Sequence, residues 1–273
     1  MAGQLFVVAT PIGNLGDISY RAVEILRGVA AVACEDTRQT RRLLDHYGLT
    51  TPLVSYHEHN EAARAAELLG RLQAGDDIAL VSDAGTPLIS DPGYRIVSLA
   101  VAAGVRVVPI PGACAAVAAL SASGLATDSF RFGGFLPRKS PERKRLLEQM
   151  NQEPHLTLVF YESPHRIVAS LADIEAVLGN PQVVLGRELT KIHEEFLRGR
   201  ASEVRAALEN RPQILGEFCV VIGRRERVAA FSGDPAAEVA RLVESGMDRM
   251  EAIKKAARAA GISKRELYRR LER

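Results

Sequence analysis

Side chains that could move a proton or hold a charge are concentrated in one short stretch of the chain. The segment RELTKIHEE starts at Arg187 and contains Glu188, Lys191, His193 and Glu194. A desolvated lysine can lose its proton and act as a general base, whereas a charged lysine can steady a developing oxyanion. A ladder of surface charges around a turn would have the same spacing, so both interpretations stay open on the residues alone.

Polar or glycine- and proline-rich loops follow five successive predicted strands. The fourth strand is followed by VSDAGTPLISDPG (81–93), which has two aspartates, two glycines, two prolines and no basic residue. The other loops are TPIGNLGD (10–17), CEDTR (34–38), YHEHN (56–60) and PGAC (111–114). Ligands of an open parallel sheet bind outside the carboxyl ends of its strands, so these loops predict a pocket there.

Several common motifs are absent. The sequence has no G-x-G-x-x-G, no G-x-x-x-x-G-K-[ST] and no G-x-S-x-G, which argues against an ordinary dinucleotide fold, a P-loop and a hydrolase elbow. His57 and His59 lack a third ligand of matching type, so no metal is expected. Cys34, Cys114 and Cys219 form neither a disulfide framework nor a zinc spacing, which fits a reducing cytoplasm.

The elements that position these loops alternate regularly through the first half. Strands are predicted at 5–10, 30–34, 52–56, 77–82 and 106–110, and helices around 19–28, 37–47, 60–74 and 92–103. Such alternation predicts an α/β layer with a mainly parallel sheet. Helices are also predicted to start where Asp or Ser precedes proline, at Asp91-Pro92, Ser140-Pro141, Ser163-Pro164 and Asp234-Pro235.

The regular alternation of predicted strands and helices ends near residue 125. Strands then recur at hairpin-like intervals, at 130–137, 156–163, 182–189, 194–200 and 217–224, which predicts a mixed sheet. Three parts are therefore predicted: an N-terminal α/β domain (1–125), a second α/β domain (126–228) and a basic helical tail (229–273).

The charge of +2 over 273 residues conceals a gradient. Residues 249–273 hold nine basic and three acidic residues, so the rest of the chain is net negative. The tail is predicted to form a helix-turn-helix around Gly261, with Ser263 capping the last helix through a box with Glu266. A second basic cluster, RKSPERKR (138–145), lies mid-chain. Clustered cations mark either a solvated surface or a footprint for phosphates.

Composition excludes several classes. The hydrophobic fraction of 47% and charged fraction of 25% match an ordinary globular protein. No apolar run of about 18 residues could span a bilayer, and the N-terminus, broken by Pro11, is not a signal peptide. A soluble, cytoplasmic protein with no membrane contact is expected.

Six motifs in order carry a family resemblance: TPIGNLGDIS, ACEDTRQTRRLL, SDAGTPLISDPG, PIPGACAAVAAL, FYESPHR and RELTKIHEEFLRG. Over nearly its whole length the chain resembles the RsmI family of bacterial 16S rRNA (cytidine-2′-O)-methyltransferases, within the tetrapyrrole-methylase superfamily. The resemblance implies a two-domain tetrapyrrole-methylase-like fold with S-adenosylmethionine in the cleft between its α/β domains. It also implies 16S rRNA, within the small ribosomal subunit, as substrate and a homodimer as the assembly.

The resemblance implies which residues approach the cofactor: Pro11, Asp83, Ala84, Gly85, Thr86, Leu88, Ile89, Ala115, Tyr161 and Leu189. The remaining candidates come from the chemistry of the residues themselves. Lys191 and Glu188 are the catalytic candidates, Lys191 as base or as a cation beside the alkoxide. Residues expected on the substrate side are Asp36, Arg38, Arg166, Lys264 and Arg265.

Two alternatives stay open at this point. A precorrin-type tetrapyrrole methyltransferase would keep the fold but would not need the basic tail. A DNA-binding regulator would use the tail and sense a metabolite with the α/β body, but it leaves the many polar loops unexplained.

Overall fold

The computed structural model describes residues 2–225, 234–260 and 262–272. The boundary predicted between residues 228 and 229 lies outside these, as does Gly261 of the predicted turn. The chain divides into two compact units, Met1–Arg224 and Arg225–Arg273. The separation of two domains near residue 125 stays a prediction.

A parallel sheet of five strands forms the first half of the larger unit. The strands are β1 (Gln4–Val8), β2 (Ala31–Cys34), β3 (Leu53–Ser55), β4 (Ile78–Leu80) and β5 (Arg106–Ile110), in the order β3-β2-β4-β1-β5. All four pairings are parallel. The helices between them are α1 (Tyr20–Gly28), α2 (Thr37–His46), α3 (Glu61–Ala74) and α4 (Tyr94–Ala102).

Both faces of this sheet are buried. Alternate residues of β1 enter different cores, Leu5 on one face and Phe6 with Val8 on the other. Helices on both faces require apolar side chains in both directions, which explains the nearly continuous hydrophobic strands. The parallel arrangement places the loops after the strands along one edge, as predicted.

The second sheet is mixed, also as predicted. Its strands are β6 (Phe130–Phe135), β7 (Thr157–Glu162), β8 (Gln182–Arg187), β9 (Glu195–Arg200) and β10 (Phe218–Ile222), in the order β6-β7-β10-β8-β9. Only β6 and β7 are parallel; the other pairs are antiparallel. The helices of this half are α5 (Ala115–Ser121), α6 (Ser140–Met150), α7 (Ile167–Leu178) and α8 (Ala201–Glu209).

Helix α5 joins the two sheets. It starts directly after the Pro-Gly loop that follows β5, and its residues Ala116, Ala119 and Leu120 share a core with residues of β7, β8 and β10. Helix α5 therefore both connects the two sheets in the chain and packs against the second one.

Two of the four helix starts predicted from proline are wrong: helix α4 starts only after Gly93, and α7 is preceded by Arg166. Helix α6 starts at Ser140-Pro141 as predicted, but its N-cap is Lys139, and the Ser140 hydroxyl donates to Asp173 instead of capping the helix. The start at Asp234 is confirmed, since its carboxylate accepts from the Ala236 N–H at 3.0 Å.

The smaller unit contains α9 (Pro235–Glu244), α10 (Arg249–Ala259) and α11 (Lys264–Leu271). Leu242, Ile253 and Leu267 are among its buried residues. Ser263 caps α11 by accepting from the Glu266 N–H at 3.1 Å, which confirms the predicted cap. The Glu266 carboxylate pairs with Arg270, and its return bond to Ser263 is not found among the described residues. Among the described residues, no helix is both long and apolar enough to cross a membrane.

Candidate active site

A cavity of about 550 Å³ lies where the loops of the parallel sheet face the second sheet. One wall comes from the loops after β1, β2, β4 and β5, and the other from β6, β7, β8, β10 and the loops beside them. The volume falls in the range of roughly 300–1,000 Å³ that is usual for small-molecule sites. The cavity therefore suits a small ligand held from both sides.

The loop after β4 is tied to its neighbours. The Thr10 N–H donates to the Gly85 carbonyl at 2.8 Å, and the Gly85 N–H donates back to Thr10 at 3.0 Å. The Thr86 hydroxyl donates to the Ala113 carbonyl at 3.0 Å. Gly85 has a φ of +86°, and a Cβ there would lie 3.3 Å from Ile12 Cγ2. Glycine is needed at this position because both the backbone angle and the close approach disfavour a side chain.

Backbone strain is concentrated beside the cavity. Leu88 and Ser90 have φ values of 71° and 70°, and Glu188 and Thr190 have values of 50° and 65°. Among the described residues, only Asn180 adds another positive φ that is not at glycine. Such angles cost free energy and tend to cluster at functional sites. The two loops, 81–93 and 187–194, are thus set apart by their conformation as well as by their composition.

One side of the cavity is acidic. The pKa of Asp91 is raised to about 6, mainly by burial and also by the carboxylates of Glu35 and Asp83, against a hydrogen bond from Ser82. Burial likewise raises the pKa of Glu35, with Asp83 adding to the effect. Asp83 itself accepts from the Asp36 N–H at 2.9 Å. Within the described residues, no group of His, Cys, Asp and Glu is placed to hold a metal ion. The acidic wall therefore suits an organic cation.

The opposite wall contains the aromatic side chain of Tyr161. Its hydroxyl accepts from the Ala116 N–H at 3.3 Å, across the junction of the two sheets. Burial raises its pKa, and the neighbouring Cys114 raises it further, so the hydroxyl stays protonated. Burial also raises the pKa of Cys219 to about 12, so this cavity thiol is not a ready nucleophile.

Lys191 reaches the cavity as a charged group. Its Nζ lies 2.9 Å from Glu188 Oε1 and 2.9 Å from Glu217 Oε2. Burial lowers its pKa, but the hydrogen bonds to Glu217 and Glu188 outweigh burial, and the net shift is upward. The Glu188 pKa is lowered: burial opposes this, but hydrogen bonds from the Glu217 N–H and Lys191 prevail. The geometry therefore favours a protonated lysine between two carboxylates.

The Lys191 side chain also crosses to the loop after β1. A Cβ at Gly13 would lie 2.3 Å from Lys191 Cγ, far inside van der Waals contact. Gly13 thus leaves the space in which the lysine chain lies.

We expect Gly13→Ala to displace the Lys191 side chain and to lower catalytic turnover about tenfold, since misplacing a reacting group is costly. Turnover and cofactor affinity should be measured together, and affinity should change little. Gly28→Ala is the matched control, because a Cβ there meets no atom within 4 Å. Equal turnover in the two variants would contradict this role of Gly13.

Most residues predicted to contact a cofactor line the cavity. Eight of the ten do so: Asp83, Ala84, Gly85, Thr86, Ile89, Ala115, Tyr161 and Leu189. Pro11 is buried beside the cavity without lining it, and the Leu88 side chain packs into the core of the parallel sheet. Of the catalytic candidates, Lys191 lines the cavity and Glu188 contacts it through Lys191.

Sequence reasoning missed several lining residues. They are Ile12, Glu35, Ser90, Asp91, Cys114, Phe135, Glu162, Ser163, Pro164, Gly186, Glu217, Phe218 and Cys219. Glu35 and Asp91 belong to loops that had been singled out, so their carboxylates could have been found there. Phe135, Gly186 and Cys219 lie on strands of the second sheet and carry no signal distinct from core packing.

The predicted substrate residues have different surroundings. Asp36 and Arg38 pair at 2.7 Å beside a smaller groove, where hydrogen bonds from Arg38 lower the Asp36 pKa to about 2. The Arg166 guanidinium is bound to Glu162, Ser163 and the Leu136 carbonyl. Lys264 and Arg265 are exposed on α11, in the smaller unit.

Solved structures share this fold at low identity. A diphthine synthase superimposes with a TM-score of 0.63 and 16% identity, over 81% of this chain and 90% of its own. The cobalt precorrin-4 methyltransferase CbiF gives a TM-score of 0.60 at 15% identity, over 81% of this chain and 94% of its own. Residues 4–205 match the family described as Tetrapyrrole (Corrin/Porphyrin) Methylases. Two α/β sheets enclosing such a cleft thus define a protein of the tetrapyrrole methylase class.

Relatives of higher sequence identity show which family within this class the chain belongs to. "Ribosomal RNA small subunit methyltransferase I" of Halalkalibacterium halodurans is 48% identical, covering 97% of this chain and 93% of the relative. The proteins of that name from Pseudomonas aeruginosa and Escherichia coli O157:H7 are 48% and 47% identical, over 98% of this chain. The chain belongs to the ribosomal RNA small subunit methyltransferase I family, and the resemblance seen in the sequence is confirmed.

Proposed function

We propose that this chain transfers the methyl group of S-adenosylmethionine to the 2′-hydroxyl of a cytidine in 16S rRNA of the small ribosomal subunit. The observation that carries the proposal is the cavity, with its acidic wall and one charged lysine, in a chain nearly half identical to small-subunit rRNA methyltransferases. The cavity alone would not identify the methyl acceptor, and the sequence similarity alone would not show where the methyl donor binds.

The cavity fits the cofactor by its chemistry. S-adenosylmethionine carries a sulfonium and an ammonium, and supplies an electrophilic methyl group. Glu35, Asp83 and Asp91 give the acidic surface that such cations favour. Ile89 and Leu189 give apolar surface for the remaining atoms. The loops that contain Pro11 and Leu88 would contribute through their backbone.

Lys191 acts on the acceptor oxygen in this proposal. The ribose hydroxyl is a weak nucleophile, and it loses its proton as its oxygen gains the methyl carbon and the carbon–sulfur bond breaks. A charged ammonium held by two carboxylates can stabilise the developing alkoxide without reorganising. Glu188 and Glu217 orient the ammonium, and the proton passes to solvent. Lys191 therefore serves as the cation rather than as a neutral base.

The smaller unit would add affinity for RNA. Lys264 and Arg265 are exposed in the first turn of α11, with Arg269 and Arg270 following. Such side chains bind phosphates without reading the base. The proposal includes a cytoplasmic homodimer, as the resemblance implies, and Asp36 with Arg38 as further contacts to the substrate.

Tritium transfer from labelled S-adenosylmethionine tests the function. Purified small subunits that lack the modification should accept label, whereas uroporphyrinogen-type tetrapyrroles and duplex DNA should not. Label on a tetrapyrrole alone would contradict the assignment of RNA as the methyl acceptor. Cofactor binding with no transfer to any RNA would contradict the proposed reaction.

Cofactor affinity should fall as pH falls through about 6. Asp91 has its pKa raised to about 6, so it is ionised above that pH and neutral below it. A cationic ligand favours the ionised form, so binding near pH 6 should release a proton. Isothermal titration between pH 5 and 8 measures the dependence. In Asp91→Asn the cofactor affinity should be weaker at pH 8 and should depend less on pH across the range. An affinity that depends on pH as in the wild type would contradict contact between Asp91 and the ligand.

A further inference from the structure

Two arginines hold three successive carbonyls of the loop between β6 and α6. Arg166 Nη1 donates to the Leu136 carbonyl at 3.2 Å. Arg143 Nη1 donates to the carbonyls of Pro137 and Arg138 at 3.1 and 3.3 Å. A loop with this many charge-assisted bonds to its backbone has little freedom to move.

Both arginines are anchored on buried carboxylates. Arg143 is 3% exposed and pairs with Asp173 at 2.6 Å. Arg166 pairs at 2.6 Å with Glu162, whose side chain is fully buried. Glu162 also lines the cavity, so one guanidinium connects the cavity wall to the loop. The loop is therefore held in a fixed position beside the candidate active site.

Four basic side chains of this region are exposed: Arg138, Lys139, Lys144 and Arg145. Lys139 lies 3.5 Å from Glu142 and Lys144 lies 3.3 Å from Asp173. For Arg138 and Arg145 no ion pair is found among the described residues. We call these four exposed side chains the basic cluster.

An exposed aromatic ring of the cavity lies close in the chain to the basic cluster. Phe135 is 57% exposed, lines the cavity and ends β6, three residues before Arg138. It packs edge-on against Tyr161, with ring centroids 5.5 Å apart. Single-stranded RNA is commonly bound by stacking bases on aromatic rings while cations hold its backbone.

We propose that the basic cluster binds the phosphodiester backbone of the RNA substrate next to the reacting nucleotide, with Phe135 against a base or ribose. The inference rests on the proposed function for the identity of the RNA. In it Arg143 and Arg166 are positioning residues: they fix the loop and do not contact the phosphate.

The test compares two double variants of the full-length protein. Arg138→Ala/Arg145→Ala removes the two charges of the basic cluster that have no ion pair among the described residues. Arg27→Ala/Arg106→Ala removes two exposed arginines near the amino ends of the parallel strands, at the edge opposite the loops. Binding of small-subunit rRNA is measured by filter retention over a series of salt concentrations, with cofactor affinity and thermal unfolding as checks on folding.

The cluster variant should bind RNA roughly 20-fold more weakly at 0.1 M salt, and its salt slope should fall by about 1.4, or ~0.7 per charge. The control should bind like the wild type. Equal behaviour of the two variants, or a wild type that does not bind RNA, would overturn the inference. RNA binding that depends on the cluster without any methyl transfer would support the inference and overturn the proposed function instead.

Discussion

Replacing Lys191 by alanine is expected to lower kcat about 100- to 1,000-fold, because a single preorganised group beside a developing oxyanion contributes on that scale. The cofactor affinity should change little, since Lys191 is held by Glu188 and Glu217 rather than by the acidic wall. Single-turnover methyl transfer to small subunits, with cofactor binding measured separately, checks both expectations.

The pH profile separates a charged lysine from a basic one. The hydrogen bonds that Lys191 donates to the two carboxylates raise its pKa, so a reaction that needs the ammonium keeps its rate through neutral pH and loses it only as pH rises through that raised pKa. A lysine acting as base would need a depressed pKa and would give a rate that rises across neutral pH. Lys191→Arg keeps the charge and should retain more activity than Lys191→Ala. A rate limited by deprotonation near pH 7, or full activity in Lys191→Ala, would contradict the assignment.

Filling the cavity from helix α5 is expected to abolish most cofactor binding. Ala115 lines the cavity, and leucine there would occupy space assigned to the ligand. Overpacking costs about 1–3 kcal/mol, which corresponds to roughly a 5- to 150-fold loss of affinity for S-adenosylmethionine. Isothermal titration measures the loss directly.

Ala118→Leu is the matched control for that variant. Ala118 lies on the same helix and is also half-buried, but it does not line the cavity. It should bind the cofactor like the wild type and unfold at a similar temperature. Similar losses in both variants would mean that α5 tolerates no added volume, and the position of the ligand would lose its support.

Much of the fold could be predicted because its periodicity is local. Strands buried on both faces are continuous apolar runs, and helices of about ten residues separate them. The parallel sheet can therefore be predicted from the sequence. Helix α5 was not predicted: its segment is apolar on nearly every side and Cys114 gives it no side-chain cap. Prolines misled the prediction at Asp91 and Ser163, because those residues belong to loops held by tertiary contacts.

Less of the site than of the fold could be predicted from the sequence. Loops after parallel strands could be predicted to converge, because the topology forces their ends to one edge. The contact between Lys191 and Gly13 joins residues far apart in the chain, and no spacing rule contains it. Arg166 was expected on the substrate side, and nothing in the sequence indicated that its guanidinium is bound to the buried carboxylate of Glu162.

Identification of the methylated nucleoside tests the central claim most directly. Small subunits that lack the modification would be incubated with the protein and labelled S-adenosylmethionine, and the RNA would then be digested to nucleosides for mass spectrometry. The account predicts label in 2′-O-methylcytidine alone, strongly reduced with Ala115→Leu and unchanged with Ala118→Leu. Label on a base, or on a ribose other than that of cytidine, would contradict it.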